Sequence, residues 1–399
     1  MSAHLVYING FELGASKTDW AVGDPGWTFS EYRGTVDTAS TEETHQPMGK
    51  SAPYAGSYSM KFNVTNHTSY PGPDLHGRVI LDCDDGANGN GGRVVFSHYH
   101  GAGVWGTDGR AGDDKVVFQV YGAASNQMTA QVLWRPDGKL DLYVYGVYKE
   151  TTTLTIPDES WTRIGLVWTV KPNGSHRRAG ARLYINGDAA TSWHNHELSY
   201  RSTGTTVEFK WQGNHQVGST FVDHIAVTSD DSISYSDGTT SSTGPYIDTE
   251  SWNLIVPGLK PNSDITAFDS GNFAPNTGSS KFGVIDESPI SSSDYVQATT
   301  DPSSFGCQLS NLDGSFDVGT VIKGVQASFV AYGDGTMLSS ESKITRGPGA
   351  GHDTNQSAAK AHTLNTSATI VNHVVEEDPG GGDWTVSDVN NIGFKYTTT

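Results

Sequence analysis

Histidines stand two apart at His98 and His100, and again at His194 and His196. On a strand, successive side chains alternate between faces, so each pair would share a face and could ligate zinc. Tyrosines and glycines surround His98 and His100, and no cysteine or acid sits in phase with them. Both pairs are therefore read as surface or half-buried, hydrogen-bonded imidazoles. Acids stand side by side at Asp158-Glu159, Asp286-Glu287 and Glu376-Glu377-Asp378. Glycoside hydrolysis needs two carboxyls on one face, about 5 Å or more apart. Adjacent strand residues point to opposite faces, so these acids do not form such a pair.

The stretch DCDDGANGNGG, Asp82 to Gly92, is acidic and glycine-rich, which raises calcium. A calcium loop of the EF-hand kind asks for oxygen ligands at alternate positions and a closing Glu. Asp82 and Asp84 fit, Gly86 does not, and no Glu follows, so the stretch is read as a solvated loop without metal. Trp105, Trp193 and Trp211, taken as loop aromatics, are the candidate carbohydrate-stacking residues. Packing or a subunit interface competes for the same side chains. No Gly-x-Ser-x-Gly elbow and no glycine-rich phosphate loop ahead of a helix occurs. No catalytic residue, metal or cofactor is assigned, and the chain is expected not to be an enzyme.

These residues sit in a chain that reads as strands nearly throughout. ARLYINGDAATSW, Ala181 to Trp193, alternates apolar and polar residues on either side of Asn186-Gly187. Asn-Gly supplies the positive φ angles of a two-residue type I′ turn, so a hairpin is predicted there. WTRIGLVWTV puts Ile164, Leu166 and Trp168 on one face, and SYSMKFNV does the same for Met60 and Phe62. Pro136-Asp137-Gly138 joins two further alternating runs as a hairpin. FVDHIAVTSD places Phe221, Ile225 and Val227 together, with Asp223 interrupting that face. No helix longer than a turn or two is predicted before residue 230. Near the C-terminus, one helical turn over Val386 to Asn390 is followed by a last strand through Phe394.

Composition bounds the class. The 399 residues suit two or three domains. Only 35% are hydrophobic, yet aromatics reach 10%, and disordered chains are poor in aromatics, so this one folds. With 25 basic against 44 acidic residues the net charge is −19, and no basic stripe exists to neutralise phosphates. Nucleic acid and anionic membranes are excluded as partners on that ground. Two cysteines, Cys83 and Cys307, make no disulfide framework. The opening MSAHLVYINGFELG lacks a charged n-region and an apolar core, and no run approaches the roughly 18 apolar residues of a membrane span. Synthesis in a cytoplasm without a signal peptide or membrane insertion is the expectation. Residues 230 to 246, rich in Ser, Thr, Gly and Asp, read as a linker between two β domains.

Residues 5 to 230 resemble the concanavalin A-like, laminin-G-like jelly roll. GSYSMKF, PDGKLDLYV and the ordered set SWTRIGLVWTV, ARLYINGDAA, FVDHIAVTSD carry the likeness. Glycosidases on that jelly roll use a Glu-x-Asp-x-Glu strand, which is absent here. Residues 246 to 399 resemble a β domain of tailed-phage structural proteins, through GNFAPNTGSSKFGVIDESPISSSDYVQATT, GTVIKGVQASFVAYGDGT and DWTVSDVNNIGFKY.

The resemblances imply an all-β protein: a concanavalin A-like jelly-roll sandwich at 1–235, then a second, smaller β-sandwich domain at 246–399. They further imply a virion structural protein that decorates head, neck or tail, assembles as a homo-oligomer (a trimer by analogy with fibres) and docks on capsid or tail proteins. The alternative is a carbohydrate-binding adhesin with a host-surface glycan as ligand. A glycan-degrading enzyme is the third reading.

Overall fold

The structure is a computed structural model that describes residues 4–11, 20–21, 25–31, 34–40, 58–64, 75–83, 90–100, 116–122, 127–135, 137–157, 159–171, 178–197, 206–212, 218–229, 258–286, 293–312, 316, 320, 322–333, 339–347 and 352–399. The chain divides into two compact units, residues 1–11 with 25–256 and residues 12–24 with 257–399. The linker-like stretch 230–246 lies outside the described residues.

Sixteen strands are described in the first unit: β1 (His4–Asn9), β2 (Trp27–Glu31), β3 (Gly34–Ser40), β4 (Tyr58–Val64), β5 (Leu75–Asp82), β6 (Asn90–His100), β7 (Val116–Gly122), β8 (Gln127–Trp134), β9 (Leu140–Val144), β10 (Val147–Thr151), β11 (Thr162–Lys171), β12 (Arg178–Ile185), β13 (Asp188–Ala189), β14 (His194–Glu197), β15 (Thr206–Gln212) and β16 (Gly218–Ser229). They make two antiparallel sheets. One runs β13-β12-β11-β6-β16-β4-β3, with β1 also on β16 and β14 also on β12; the other runs β10-β9-β8-β7-β15-β5-β2. Neighbours in each sheet come from distant parts of the chain, as in a jelly-roll sandwich.

Alternation explains the interior. Leu166, Trp168 and Leu183 from the first sheet are fully buried, as are Phe118, Phe209 and Trp211 from the second. Trp27 stacks on Trp211 at 5.3 Å, Phe96 and Phe118 lie 5.1 Å apart, and Trp168 meets Phe209 edge-on at 5.9 Å. Inward aromatics from both sheets thus interdigitate, the arrangement expected of two packed sheets about 10 Å apart. Asn186 and Gly187 adopt φ of 52° and 93°, the turn that Asn-Gly predicts. Asn186 also accepts a hydrogen bond from the Arg163 amide at 2.9 Å, which ties the turn to the start of β11.

The register slips in several strand pairs, and two departures from simple alternation bear on the faces predicted above. In β16 the register slips between Asp223 and Ala226, and His224 takes φ of 47°. The extra residue turns the strand over, so Phe221 pairs with Tyr99 on the outer face while Ile225 is buried four residues later. Phe221 and Ile225 therefore do not share a face as their spacing suggests. Tyr145 and Gly146, with φ of 54° and 72°, form a second hairpin turn that ends β9 and starts β10. Read as sequence, LDLYVYGVY runs through that turn as one strand.

The second unit contributes β17 (Pro261–Asp264), β18 (Phe273–Pro275), β19 (Val296–Ala298), β20 (Ser304–Leu309), β21 (Val325–Ala331), β22 (Ser339–Arg346), β23 (Lys360–Thr363), β24 (Thr369–Val375) and β25 (Ile392–Thr398). A five-stranded sheet, β17-β20-β25-β22-β23, is accompanied by the pairs β18-β19 and β21-β24. Ala327, Phe329 and Ala331 of β21 pack against Phe305, Phe394 and Tyr396, making a second two-layer β unit. The predicted helical turn is present at Val386–Val389. Its Thr385 cap accepts from the Asp388 amide, and the Asp388 side chain reaches back to Thr385. Both cysteines are buried free thiols.

Candidate functional site

The outer face of the seven-stranded sheet carries a continuous row of polar and aromatic side chains. Inward positions go to Val79, Phe209, Phe118, Val132 and Leu142, so the alternate positions face away from the core. Ladder register then aligns Thr28, Arg78, Lys210, Gln119, Gln131, Tyr143 and Tyr148 across all seven strands. Strands lie about 4.8 Å apart, so the row spans about 29 Å. Chain order hides it completely.

Its centre is built rather than incidental. Gln119 and Gln131 are 5% and 7% exposed, so nearly all of each side chain is buried. The Tyr121 hydroxyl donates to Gln119 Oε1 at 2.9 Å, which fixes that amide's orientation. Beside it, the Gln131 amide has no hydrogen-bond partner among the described residues. Neither of its amide atoms is among the buried atoms left without a partner, so the amide keeps contact with solvent and a ligand hydroxyl can reach it.

One end of the row is aromatic. Tyr143 and Tyr148 meet edge-on at 5.6 Å, and Tyr148 is half exposed. Thr151 Oγ1 donates to Asp141 at 2.6 Å, so the contact at 3.0 Å between Tyr148 and Thr151 is donated by the phenol. That fixes the Tyr148 ring on the surface. The other end is charged: Arg78 Nη1 lies 3.4 Å from Glu208 Oε2, and Lys210 stands directly opposite Arg78.

Beyond Tyr148 the site continues around the sheet edge. Register slips between Tyr148 and Glu150, which turns Glu150 toward β14 of the other sheet. Its Oε2 accepts from the Ser192 amide and from His194 Nε2, both at 2.7 Å. Burial pushes the Glu150 carboxyl up, but the bonds from His194 and Ser192 outweigh it and hold it below its ordinary range. His196 stacks on Tyr145 at 5.4 Å, and Lys149 Nζ lies 3.4 Å from His196 Nδ1. Among the described residues no three His, Cys, Asp or Glu side chains gather in a way that could hold a metal.

The residues singled out by sequence scatter. Trp211 is a strand residue with no exposed surface, stacked on Trp27 in the core, so no sugar can reach its ring. Trp193 is half-buried against Val95, Val167 and Tyr184 and donates to Asn195 Oδ1 at 2.8 Å. It packs on the nine-stranded sheet, away from the row. Trp105 lies outside the described residues, as do Asp84 to Gly89. His98 and His100 point into the sandwich rather than outward, with His100 4.8 Å from the Trp134 ring. Burial, and secondarily the neighbouring His100, push His98 down to about 3, so its imidazole is neutral. In the acidic run Glu376 to Asp378, Asp378 is buried and bound by Arg346 Nε at 2.6 Å.

No protein-family model matches the chain, and no curated protein matches it. Solved structures do. The catalytic domain of a glycoside hydrolase family 131 protein from Coprinopsis cinerea is 12% identical over 62% of this chain and 99% of its own, with a TM-score of 0.32. Lectin I-B4 from Griffonia simplicifolia, in its metal-free form, is 12% identical over 54% of this chain and 98% of its own, at 0.30. The alginate lyase AlyC3 is 12% identical over 43% of this chain and 75% of its own, also at 0.30. The expectation that the chain is not an enzyme is corrected here, because a catalytic domain and a lyase stand among the matches. The missing Glu-x-Asp-x-Glu strand excludes one arrangement of catalytic groups, not every arrangement. The virion expectation draws nothing from these likenesses.

Proposed function

We propose that the first unit is a carbohydrate-binding β sandwich that holds a glycan along the row from Arg78 to Tyr148. The observation that carries this reading is Gln131: a largely buried side chain whose amide keeps solvent contact and has no hydrogen-bond partner among the described residues, between an oriented Gln119 and two tyrosines. Amides read sugar hydroxyls by paired donor and acceptor, and tyrosine faces pack on the apolar faces of sugar rings. A row about 29 Å long suits an extended chain of several sugars better than a single residue. Screening the full chain on a polysaccharide and oligosaccharide array tests the reading. The same ligands are then incubated with the protein and followed for reducing ends and unsaturated products, which reports any turnover.

The setting proposed with it is the surface of a virus particle, on the resemblance of residues 246 to 399 to phage structural domains. There the chain would sit as a homo-oligomer, a trimer by analogy, on a capsid or tail protein. Mass spectrometry of purified particles, and light scattering of the recombinant protein, test that placement. A monomer absent from particles contradicts it.

A further inference from the structure

We infer that Gln131 takes two adjacent hydroxyls of one sugar ring, so that the row selects glycans whose chain sugars keep a free vicinal diol. This rests on the reading of the row as a glycan site and adds the class of glycan. Gln119 and Gln131 are register partners on β7 and β8, facing the same way. Their Cβ atoms sit about 5 Å apart, close enough for one amide to serve the other. No such bond forms, because Gln119 is committed elsewhere. Its Oε1 accepts from the Tyr121 hydroxyl at 2.9 Å, and its Nε2 lies 3.9 Å from Met128 Sδ. A thioether sulfur accepts hydrogen bonds and does not donate them, so Met128 holds the nitrogen on its own side and the oxygen toward Tyr121. Tyr121 and Met128 are themselves register partners, and together they seat this amide in one orientation.

Gln131 therefore keeps both functions of its amide, donor and acceptor side by side, in contact with solvent. A primary amide closes two hydrogen bonds at once on a neighbouring donor and acceptor, as it does on the edge of adenine. Two hydroxyls on adjacent ring carbons offer that pair, one donating to Oε1 and the other accepting from Nε2. Equatorial hydroxyls with a further carbon between them stand too far apart to do so. Tyr143, the register partner of Gln131 on β9, sets a ring beside the amide for the apolar face of the same sugar. Linkage decides which chains qualify. A 1,4-linked pyranose chain leaves the adjacent hydroxyls of carbons 2 and 3 free on every internal sugar. A 1,3-linked chain leaves those of carbons 2 and 4, which are not adjacent. Gln131 lies two strands in from β10 and four from β2, so a chain that fills the row presents an internal sugar to it. The row accordingly takes 1,4-linked chains in preference to 1,3-linked ones.

Isothermal titration of the full chain with hexamers of equal length tests this. Cellohexaose, β-1,4-linked mannohexaose and hexagalacturonate keep the diol on every sugar, whereas β-1,3-linked laminarihexaose keeps one only at its ends. The tightest of the 1,4-linked hexamers is expected to bind about tenfold or more tighter than laminarihexaose, as two neutral hydrogen bonds would give. That comparison is made on wild type and needs no variant. Gln131→Ala then brings the same hexamer down to the level of laminarihexaose and leaves laminarihexaose as in wild type. Laminarihexaose bound as tightly as the 1,4-linked hexamers, or Gln131→Ala weakening all of them alike, overturns the diol assignment but leaves the glycan site standing. If no hexamer binds wild type, or Gln131→Ala binds every one of them as wild type does, both readings fall.

Discussion

Glu150 Oε2 lies 2.7 Å from His194 Nε2, and this contact links the edge of one sheet of the sandwich to the edge of the other. The two residues are 44 apart in the chain, and each owes its place to a local device. The slip in register after Tyr148 turns Glu150, and the short strand β14 presents His194.

That contact carries a pH signature. Burial alone would raise the Glu150 carboxyl, but the bonds from His194 and Ser192 leave it lowered. A carboxyl depressed on folding stabilises the protein fully above its unfolded value and loses that contribution as pH falls through the folded value. Glu150→Gln is therefore expected to lower the melting temperature at neutral pH, with the gap to wild type closing below the ordinary carboxylate range. Thermal melts of both proteins across pH check this. A gap that stays constant down to strong acid means that the carboxylate's charge is not what matters.

The buried histidines act with the opposite structure and the same direction. His98 is pushed down to about 3 by burial and by His100, and in the second unit burial, then Lys360 and His362, push His373 down to about 4. Between those values and the ordinary imidazole value near 6.5, the unfolded chain binds protons that the folded one refuses, so stability falls as pH drops through that window. His98→Leu should flatten the acid loss of the first unit. His373 also contacts the buried Ser342 hydroxyl at 3.0 Å, with His362 at 2.7 Å on the same oxygen, so His373→Leu tests the second unit. Acid unfolding followed by circular dichroism gives both answers, and unchanged midpoints contradict the neutral assignment.

Much of the fold is legible in the residues themselves. Asn186-Gly187 dictates its turn, the alternation of Leu166 and Trp168 dictates their burial, and Thr385 with Asp388 marks the last helical turn. The row is not legible, because its members run from Thr28 to Lys210 and only ladder register brings them together. Its one sequence trace is that outward strand positions carry Gln and Tyr where simpler polar residues would serve. The slips in register at Asp223 and at Tyr148 also escape alternation, since one extra residue flips every later side chain. Trp211 misled for a related reason: an aromatic near a polar stretch reads as a loop residue until its strand partners are known.

The stacked core should be costly to open. Trp168→Ala is expected to destabilise the first unit by about 3–5 kcal/mol, and Trp211→Ala by a similar amount. Chemical denaturation measures both. A change within error of wild type would mean that these rings do not fill the space between the sheets.

In the second unit Arg346 pairs with Asp378 at 2.6 Å and with Asp388 at 3.0 Å, fastening the end of β22 to the turn before the helix and to the helix itself. A side chain on Gly380 would collide with the Arg346 guanidinium, so that glycine is what lets the guanidinium in. Arg346→Ala strands a buried carboxylate and should cost about 3 kcal/mol or more. Adding Asp378→Ala should restore part of the loss. A double variant as unstable as the sum of the singles excludes coupling between the two groups.

The most direct measurement is calorimetric titration of an array-selected glycan into wild type, Gln131→Ala and Trp193→Phe. Gln131→Ala is expected to weaken binding about tenfold, the loss of one or two hydrogen bonds, while Trp193→Phe on the other sheet binds as wild type. Unchanged affinity in Gln131→Ala, or a loss confined to Trp193→Phe, would contradict a glycan site on the outer face of the seven-stranded sheet.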